Sequence, residues 1–534
     1  MEIRMTSDVL VIGSGIAGAS TALIAADAGL SVIVLNRAED PEESNTRYAQ
    51  GGIIWEGDED SPTLLEHDID VAGDEVGNLK AIEMLAEEGP SLVELFLIKR
   101  LQVPFDVDAQ GRIHRTVEAA HSRPRIIHVA DRTGWAIEKA LTRELNAHPN
   151  IRILTAHTAI DLISTTHHAK KRGAMYDPTK IFGAYALDRK SGVVRTFLAS
   201  RTVIATGGIG TLWRYTTNPD GARGDGIAMA ERAGAHVINM EYMQFHPTAF
   251  RKEGCEPFLI SEAVRGEGGI LVNQQGEPFI GRYLPNHKEL APRDEVARAI
   301  LKEIELQGIP HVWMDLRPIV QKGVTLEKRF PTIFEKCLSF GIDIRKDPIP
   351  VAPAAHYLCG GIRADEFGRT NLENLYAVGE CSCTGLHGAN RLASTSLLEG
   401  LVWGVRAAKH ISGTFVKEDL ALWQIPDWDE SDVEEDQLPK GFAQYFQRLK
   451  DIMWEWVGMV RSKEKLERAR RELSLMAIPV EEIYRRTKLS DELIGMRNAI
   501  QTTLLVTTHA CRSKWSRGCH YREDERKVIL STLQ

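Results

Sequence analysis

Asp8-Val-Leu-Val-Ile12 is a short, almost wholly apolar run that ends at Gly13. Gly13, Ser14, Gly15, Ile16, Ala17 and Gly18 follow, and then an Ala-, Leu- and Ile-rich stretch that stops at Gly29. Glycines at this spacing let the chain turn tightly, let backbone approach a pyrophosphate and let a helix pack closely on a strand. The helix N-terminus then stabilises the phosphate charge. The chemistry indicated is dinucleotide binding. Where an acid would take the adenosine ribose, at the end of the second strand, the chain has Asn36 and Arg37. Taken alone, Arg37 would fit a 2′-phosphate and a nicotinamide cofactor.

Other segments argue against that cofactor. Asn45, Thr46, Arg47, Tyr48, Ala49, Gln50, Gly51 and Gly52 run consecutively, and Ala205-Thr-Gly-Gly208, Gly224-Asp225-Gly226 and Tyr376-Ala-Val-Gly-Glu380 follow in that order. Together they resemble an FAD protein, in which a late strand ending in Gly-Glu sets Glu380 against the ribitol chain. Between and beyond them polar side chains concentrate: Glu118-Ala-Ala-His121, Gln244-Phe-His246-Pro-Thr248, Ser261-Glu262-Ala-Val-Arg265, Pro292-Arg293-Asp294, Pro353-Ala-Ala-His356 and His387-Gly-Ala-Asn-Arg391-Leu-Ala-Ser-Thr-Ser396-Leu397.

These motifs resemble the fumarate reductase and succinate dehydrogenase flavoprotein superfamily, and most of all its soluble L-aspartate oxidase branch, over nearly the whole chain. The resemblance implies FAD held by the segments above, with Ser396 and Leu397 also at the cofactor. Membrane-complex members attach FAD to a histidine just ahead of the Ala-Gln-Gly-Gly segment. Asn45 stands there, so noncovalent FAD is expected. The resemblance further implies Arg391 and His356 at one substrate carboxylate, His246 and Ser261 at the other, and Gln244 and Glu262 orienting His246 and Arg293. Arg293 would be a proton carrier, with Glu262 and Arg265 as a relay, or an electrostatic clamp, because an arginine is a poor free base. Glu118 would partner the substrate ammonium, a group that succinate and fumarate lack. Ala119 and Ala120 depart from the branch pattern, which has two glycines there.

The implied reaction is oxidation of L-aspartate to iminoaspartate, consumed by quinolinate synthase on the route to NAD. Reduced FAD would pass its electrons to O2, giving hydrogen peroxide, or to fumarate, giving succinate. A soluble fumarate reductase is the alternative.

The elements that must carry these residues follow from length and pattern. At roughly 100–200 residues per domain, 534 residues allow two to four domains. The strand over 8–12, helix over 16–28 and strand over 31–35 form a βαβ unit, and the distant glycine-ended strands near 201–205 and 375–380 imply a sheet built discontinuously. The expected fold is α/β: a Rossmann-like FAD-binding domain over 1–237 and 356–416, and an inserted α+β capping domain over 238–355. An acidic, extended and solvated linker over 417–440 and a C-terminal helical bundle over 441–534 complete it. Phe442, Phe446, Leu449, Ile452, Met453, Trp456 and Val460 recur at helical spacing, as do Leu466, Ala469, Leu473 and Met476, and then Leu493, Met496 and Ile500.

Sixty-five basic against 74 acidic residues leave a net charge of −9, which argues against nucleic acid or an anionic membrane as partner. Seven sparse cysteines point to a reducing compartment. The early apolar stretch is broken by glycines and Asp27, so it fits neither a membrane span nor a signal peptide. A cytoplasmic location is expected. His509, Cys511, Cys519 and His520 lack paired zinc-ligand spacing, Cys381 and Cys383 fit buried packing, and no metal is expected.

Overall fold

Strand Arg4–Ile12 lies at the centre of the main sheet because its last residues are apolar on both faces: Val9, Leu10 and Val11 have no exposed surface. Parallel neighbours bury both sides of such a strand. Ile151–Leu154, Val32–Leu35, Arg4–Ile12 and Val193–Ile204 run parallel in that spatial order. The structure, a computed structural model, describes residues 3–286 and 288–525. The stretch 526–534 of the expected C-terminal unit lies outside the described residues.

The strand expected near 201–205 begins earlier, at Val193. Ahead of position 201 it carries Arg195, Thr196 and Ser200, which conceal it in a composition reading, yet all three are buried. Arg195 is neutralised by Asp188 at 2.7 Å on the neighbouring strand. The free edge of this long strand is shared. Antiparallel Ile181–Asp188 takes its beginning, and parallel Leu375–Ala377, which delivers Glu380, takes its end.

Helix Ile16–Asp27 follows the glycine turn, with its N-terminus at the sheet's carboxyl edge. A Cβ on Gly18 would lie 2.1 Å from the Gly13 carbonyl oxygen, so the close helix–turn approach requires glycine there. Helix Thr395–Gly413 packs against this first helix.

A second, antiparallel sheet has the order Met243–Phe250, Ile349–Leu358, Val312–Asp315, Ile270–Val272. It shares a separate apolar core, including Phe250, Ile260, Phe279, Ile300 and Phe330, with helices Arg293–Gln307 and Pro331–Ser339. Strand Ile349–Leu358 runs through positions 355 and 356 without a break and returns the chain to the nucleotide unit.

The acidic stretch over 417–440 is not wholly solvated. Trp423 and Ile425 are buried, Trp423 meets Phe182 at 5.2 Å and Trp428 meets Tyr185 at 5.3 Å between ring centroids. Asp427 pairs with Arg4 at 2.8 Å. Aromatic burial outweighs repulsion among like charges here, as the area each ring removes from water would require. Helices Ala443–Trp456, Lys463–Arg486 and Asp491–Arg512 follow. Leu449, Ile452, Met453, Leu466, Leu473, Leu493 and Met496 from them join the core on one face of the main sheet.

Asp491 starts the last helix and reaches the nucleotide unit. It accepts from Arg37 at 3.0 Å, from Arg223 at 3.1 Å and from the Thr158 hydroxyl at 2.7 Å. Asp491→Ala takes the carboxylate from Arg37 and leaves Arg223 with Asp225 alone; both guanidiniums are at most a quarter exposed. The expected cost is about 2 kcal/mol, between the values for surface and buried pairs, read as a lower urea midpoint at pH 7.

Candidate active site

One long cleft of about 1800 Å³, its open mouth included, runs from Arg37 and Asp225 past the glycine turn to Arg293 and Arg391. Gly13, Ser14, Gly15, Ile16 and Ala17 line it, as do Asn45, Thr46, Tyr48, Ala49, Gln50, Gly51 and Gly52. The Thr46 hydroxyl accepts the first helix's Ile16 N–H at 3.0 Å and so ties the two segments together. Asn36, in place of the expected acid, donates to the Ser14 hydroxyl at 2.6 Å. Asn45 donates to Glu380 at 3.0 Å, and burial pushes the Glu380 carboxyl up to about 7. Asn45 Oδ1, Gln50 Oε1 and Thr206 Oγ1 are buried and lack partners within the protein. Such polar atoms, which would be costly if left unpaired, fit a bound dinucleotide. The residues present thus fit FAD.

Glu118, His246, Ser261, Glu262, Arg293, His356 and Arg391 converge at the inner end of the cleft. Both units contribute. The first strand of the capping sheet brings His246, helix Glu262–Gly266 brings Glu262 and helix Arg293–Gln307 begins with Arg293. Glu262 accepts from Arg293 Nε at 2.5 Å and from the Ala119 N–H at 2.9 Å, and Arg265 lies 3.4 Å away. Burial would raise Glu262, but the Arg293 and Arg265 charges outweigh it and hold the carboxyl below its usual range.

Arg391 has no carboxylate partner among the described residues. It donates to the Ser396 hydroxyl at 2.9 Å and to Gln244 Oε1 at 3.2 Å, and its Nε is unpartnered. Burial, and then repulsion from Arg293, lowers it to about 10, still well above neutral pH. The Tyr357 ring supports it, centroid 4.4 Å from the guanidinium.

The rings of His246 and His356 are 5.0 Å apart. Burial and the neighbouring arginines push both well below the usual histidine range, so both are neutral. A backbone N–H can only donate. Thr248 N, 3.2 Å from His246 Nδ1, therefore makes that atom the acceptor and leaves the proton on Nε2, which is buried and unpartnered. His356 Nδ1 meets the Thr217 hydroxyl at 2.7 Å.

Three expected residues do not line the cleft. Gly18 acts in helix packing. Gln244 is buried behind the arginines and bonds both of them through Oε1. The Arg47 guanidinium turns outward to Asp40 at 2.6 Å, because its short helical turn presents Thr46 inward. Asp225 and Arg37 do line the cleft, held by Arg223 and Asp491 respectively.

Sequence reading missed Ser44, Thr217, Tyr357 and Ser394, all of which line the cleft. Ser44 donates to buried Glu138 at 2.9 Å, and burial pushes that carboxyl well above its usual range. Ser394 stands between Arg391 and Ser396, Ser44 directly before Asn45 and Tyr357 directly after His356, so these three had neighbours that gave a signal. Among the described residues no group of three or more His, Cys, Asp or Glu could hold a metal. His520 instead meets Arg461 at 2.8 Å.

Residues 8–397 match the family described as FAD binding domain, and 446–528 match that described as Fumarate reductase flavoprotein C-term. The E. coli quinol fumarate reductase superposes with a TM-score of 0.86 at 28% identity, covering 99% of this chain and 94% of that one. The Mycobacterium smegmatis Sdh1 complex with UQ1 gives 0.77 at 29%, covering 98% and 90%. Fold and cleft therefore define an FAD-dependent flavoprotein of the fumarate reductase and succinate dehydrogenase type.

L-aspartate oxidase 1 of Ralstonia nicotianae is 43% identical over 99% of this chain and 97% of its own length. L-aspartate oxidase of Halobacterium salinarum is 44% identical over 98% of both. The chain belongs to the L-aspartate oxidase family.

The fold places Ala119 at the Glu262 carboxylate, and Ala120, exposed beside it, has a φ of 64°. An L-residue there costs about 1–2 kcal/mol, of which glycine's extra freedom in the unfolded chain cancels about 0.4–1 kcal/mol. Ala120→Gly should stabilise the protein by up to about 1 kcal/mol, measured by urea unfolding.

Proposed function

We propose that this chain oxidises L-aspartate to iminoaspartate, with noncovalent FAD, at the inner end of the cleft. The observation that carries this reading is the buried Glu118 carboxylate, with no guanidinium bonded to it among the described residues, beside Arg391, two neutral histidines and a Glu262 already paired with Arg293. A plain dicarboxylate needs only positive charge and N–H donors. An amino dicarboxylate also needs an anion.

Arg391 and His356 take one carboxylate, and His246 Nε2–H with the Ser261 hydroxyl takes the other. Glu118 takes the ammonium, which fixes the α-carbon and so selects one enantiomer. Bound FAD supplies the acceptor for the α-hydrogen, which leaves as hydride, while the nitrogen gives up a proton. Arg293 keeps its charge on the substrate, with Glu262 as counter-ion. Burial of the whole set excludes water, which strengthens these interactions. O2 or fumarate removes the electrons, and iminoaspartate passes to quinolinate synthase in the route to NAD. Among the described residues no helix is long and apolar enough to cross a membrane, which agrees with action in the cytoplasm. The fumarate reductase reading is favoured by the structural neighbours but leaves Glu118 without a task.

Mixing the FAD-loaded protein anaerobically with L-aspartate should bleach the flavin, and D-aspartate or succinate should not. Glu118→Gln should slow bleaching at limiting L-aspartate by about 10²-fold or more, a loss of roughly 3 kcal/mol for a buried charge pair. Equal bleaching of the variant and the original protein would sink the reading. Acid precipitation should release all the flavin into the supernatant, because the Asn45 amide offers no nucleophile of the histidine kind.

A further inference from the structure

The Glu118 carboxylate has one side-chain hydrogen bond among the described residues. Ser394 Oγ donates to its Oε2 at 2.6 Å. The Ser394 hydroxyl in turn accepts the Gly52 N–H at 3.4 Å, so the two bonds polarise each other. Ser394 holds this position with a φ of 57°, a backbone conformation uncommon outside glycine and often kept at functional sites. The other carboxylate oxygen, Oε1, lies against Gly51, where a Cβ would come within 2.6 Å. No donor among the described residues bonds to it.

The ionised groups facing Glu118 are Glu262 from the short helix, Arg265 one turn further on, Arg293 from the next helix and Arg391 from the loop before Ser394. The two histidines beside them are neutral. Three guanidiniums face two carboxylates, which leaves one positive charge while Glu118 is ionised. L-aspartate, with two carboxylates and an ammonium, brings one net negative charge and makes the buried set neutral. Succinate or fumarate brings two, and neutrality then needs a proton. Glu118 is the carboxyl best placed to take it, since Glu262 is held ionised by Arg293 and Arg265, whereas burial and the Glu262 charge raise Glu118.

We propose that Glu118 is a proton-operated specificity switch: ionised it admits the amino dicarboxylate, protonated it admits the dicarboxylate without an amine, and Ser394 sets the pH at which one replaces the other. The proposal rests on the aspartate-oxidising reading above. It follows that the oxidation of L-aspartate and the binding of fumarate as electron acceptor draw on opposite protonation states of one residue. Ser394 is a positioning residue in this scheme, because it acts only through Glu118.

The test uses the FAD-loaded protein between pH 6 and 9. Succinate binding is followed by the flavin spectrum, and L-aspartate binding by the concentration dependence of anaerobic bleaching. Below the switching pH, L-aspartate should tighten towards tenfold per pH unit as pH rises. Above it, succinate should weaken towards tenfold per unit. Glu118→Gln should flatten the succinate profile. Ser394→Gly, which relieves the backbone and removes the donor, should move the succinate and L-aspartate transitions upward in pH together. A flat succinate profile in the original protein, or one unchanged in Glu118→Gln, would overturn the switch. Transitions that stay in place in Ser394→Gly would remove Ser394 from it. If L-aspartate bleaches nothing, the aspartate-oxidising reading fails, while the succinate profile still decides whether Glu118 takes up a proton.

Discussion

A buried guanidinium without a carboxylate partner among the described residues is the constraint around which this molecule is arranged. Arg391 is 5% exposed and remains charged at neutral pH. A cation in that state is costly in the empty protein and is held only because its surroundings are over-determined. Gln244 shares one oxygen between Arg391 and Arg293. Tyr357 lies beneath the guanidinium, and its hydroxyl donates to Glu399 at 3.0 Å. Glu399 also accepts from the Thr384 hydroxyl at 2.7 Å and lies 2.9 Å from His387. On the proposed reading, instability concentrated here becomes affinity when a dicarboxylate arrives, the usual relation between strained sites and the scaffolds that support them.

That arrangement explains why the chain leaves the nucleotide unit and returns to it. The nucleotide unit contributes Gly51, Glu118, Arg391 and Ser394, and the capping unit contributes Gln244, His246, Glu262 and Arg293. Neither half could bury such a density of charge alone. Met243–Phe250 carries Gln244 and His246 on the first strand of the capping sheet, and its antiparallel partner Ile349–Leu358 carries His356 back to the same place. The C-terminal segment braces both ends of the cleft. Asp491 holds Arg37 and Arg223 at the nucleotide end. The Cys519 backbone bonds Ala389 at 3.0 Å, and its thiol meets Asn390 at 3.2 Å, beside Arg391.

Much of this was legible in the chain. Glycine turns flanked by apolar runs are local signals, and both the first βαβ unit and the helical period after position 441 follow from side-chain spacing alone. Most site residues stand in short motifs dense in Arg, His and Glu, so they could be named from neighbours. The acidic stretch was misleading because its charge is visible in composition, whereas the docking of Trp423 and Trp428 depends on distant Phe182 and Tyr185. The long central strand was cut short for the same reason: Arg195 looks exposed until Asp188, on another strand, neutralises it.

The sequence by itself determined the dinucleotide turn, the discontinuous α/β plan and the identity of nearly every charged group in the cleft, because each rests on residue type and short spacing. Tertiary structure decided how those charges combine. It paired Glu262 with Arg293, left Arg391 without a carboxylate partner among the described residues, and put the His246 proton on Nε2. It also brought Ser394, 276 positions away, against Glu118. Electrostatic interaction in a dry cleft depends on distance and burial, and a one-dimensional string of residues contains neither.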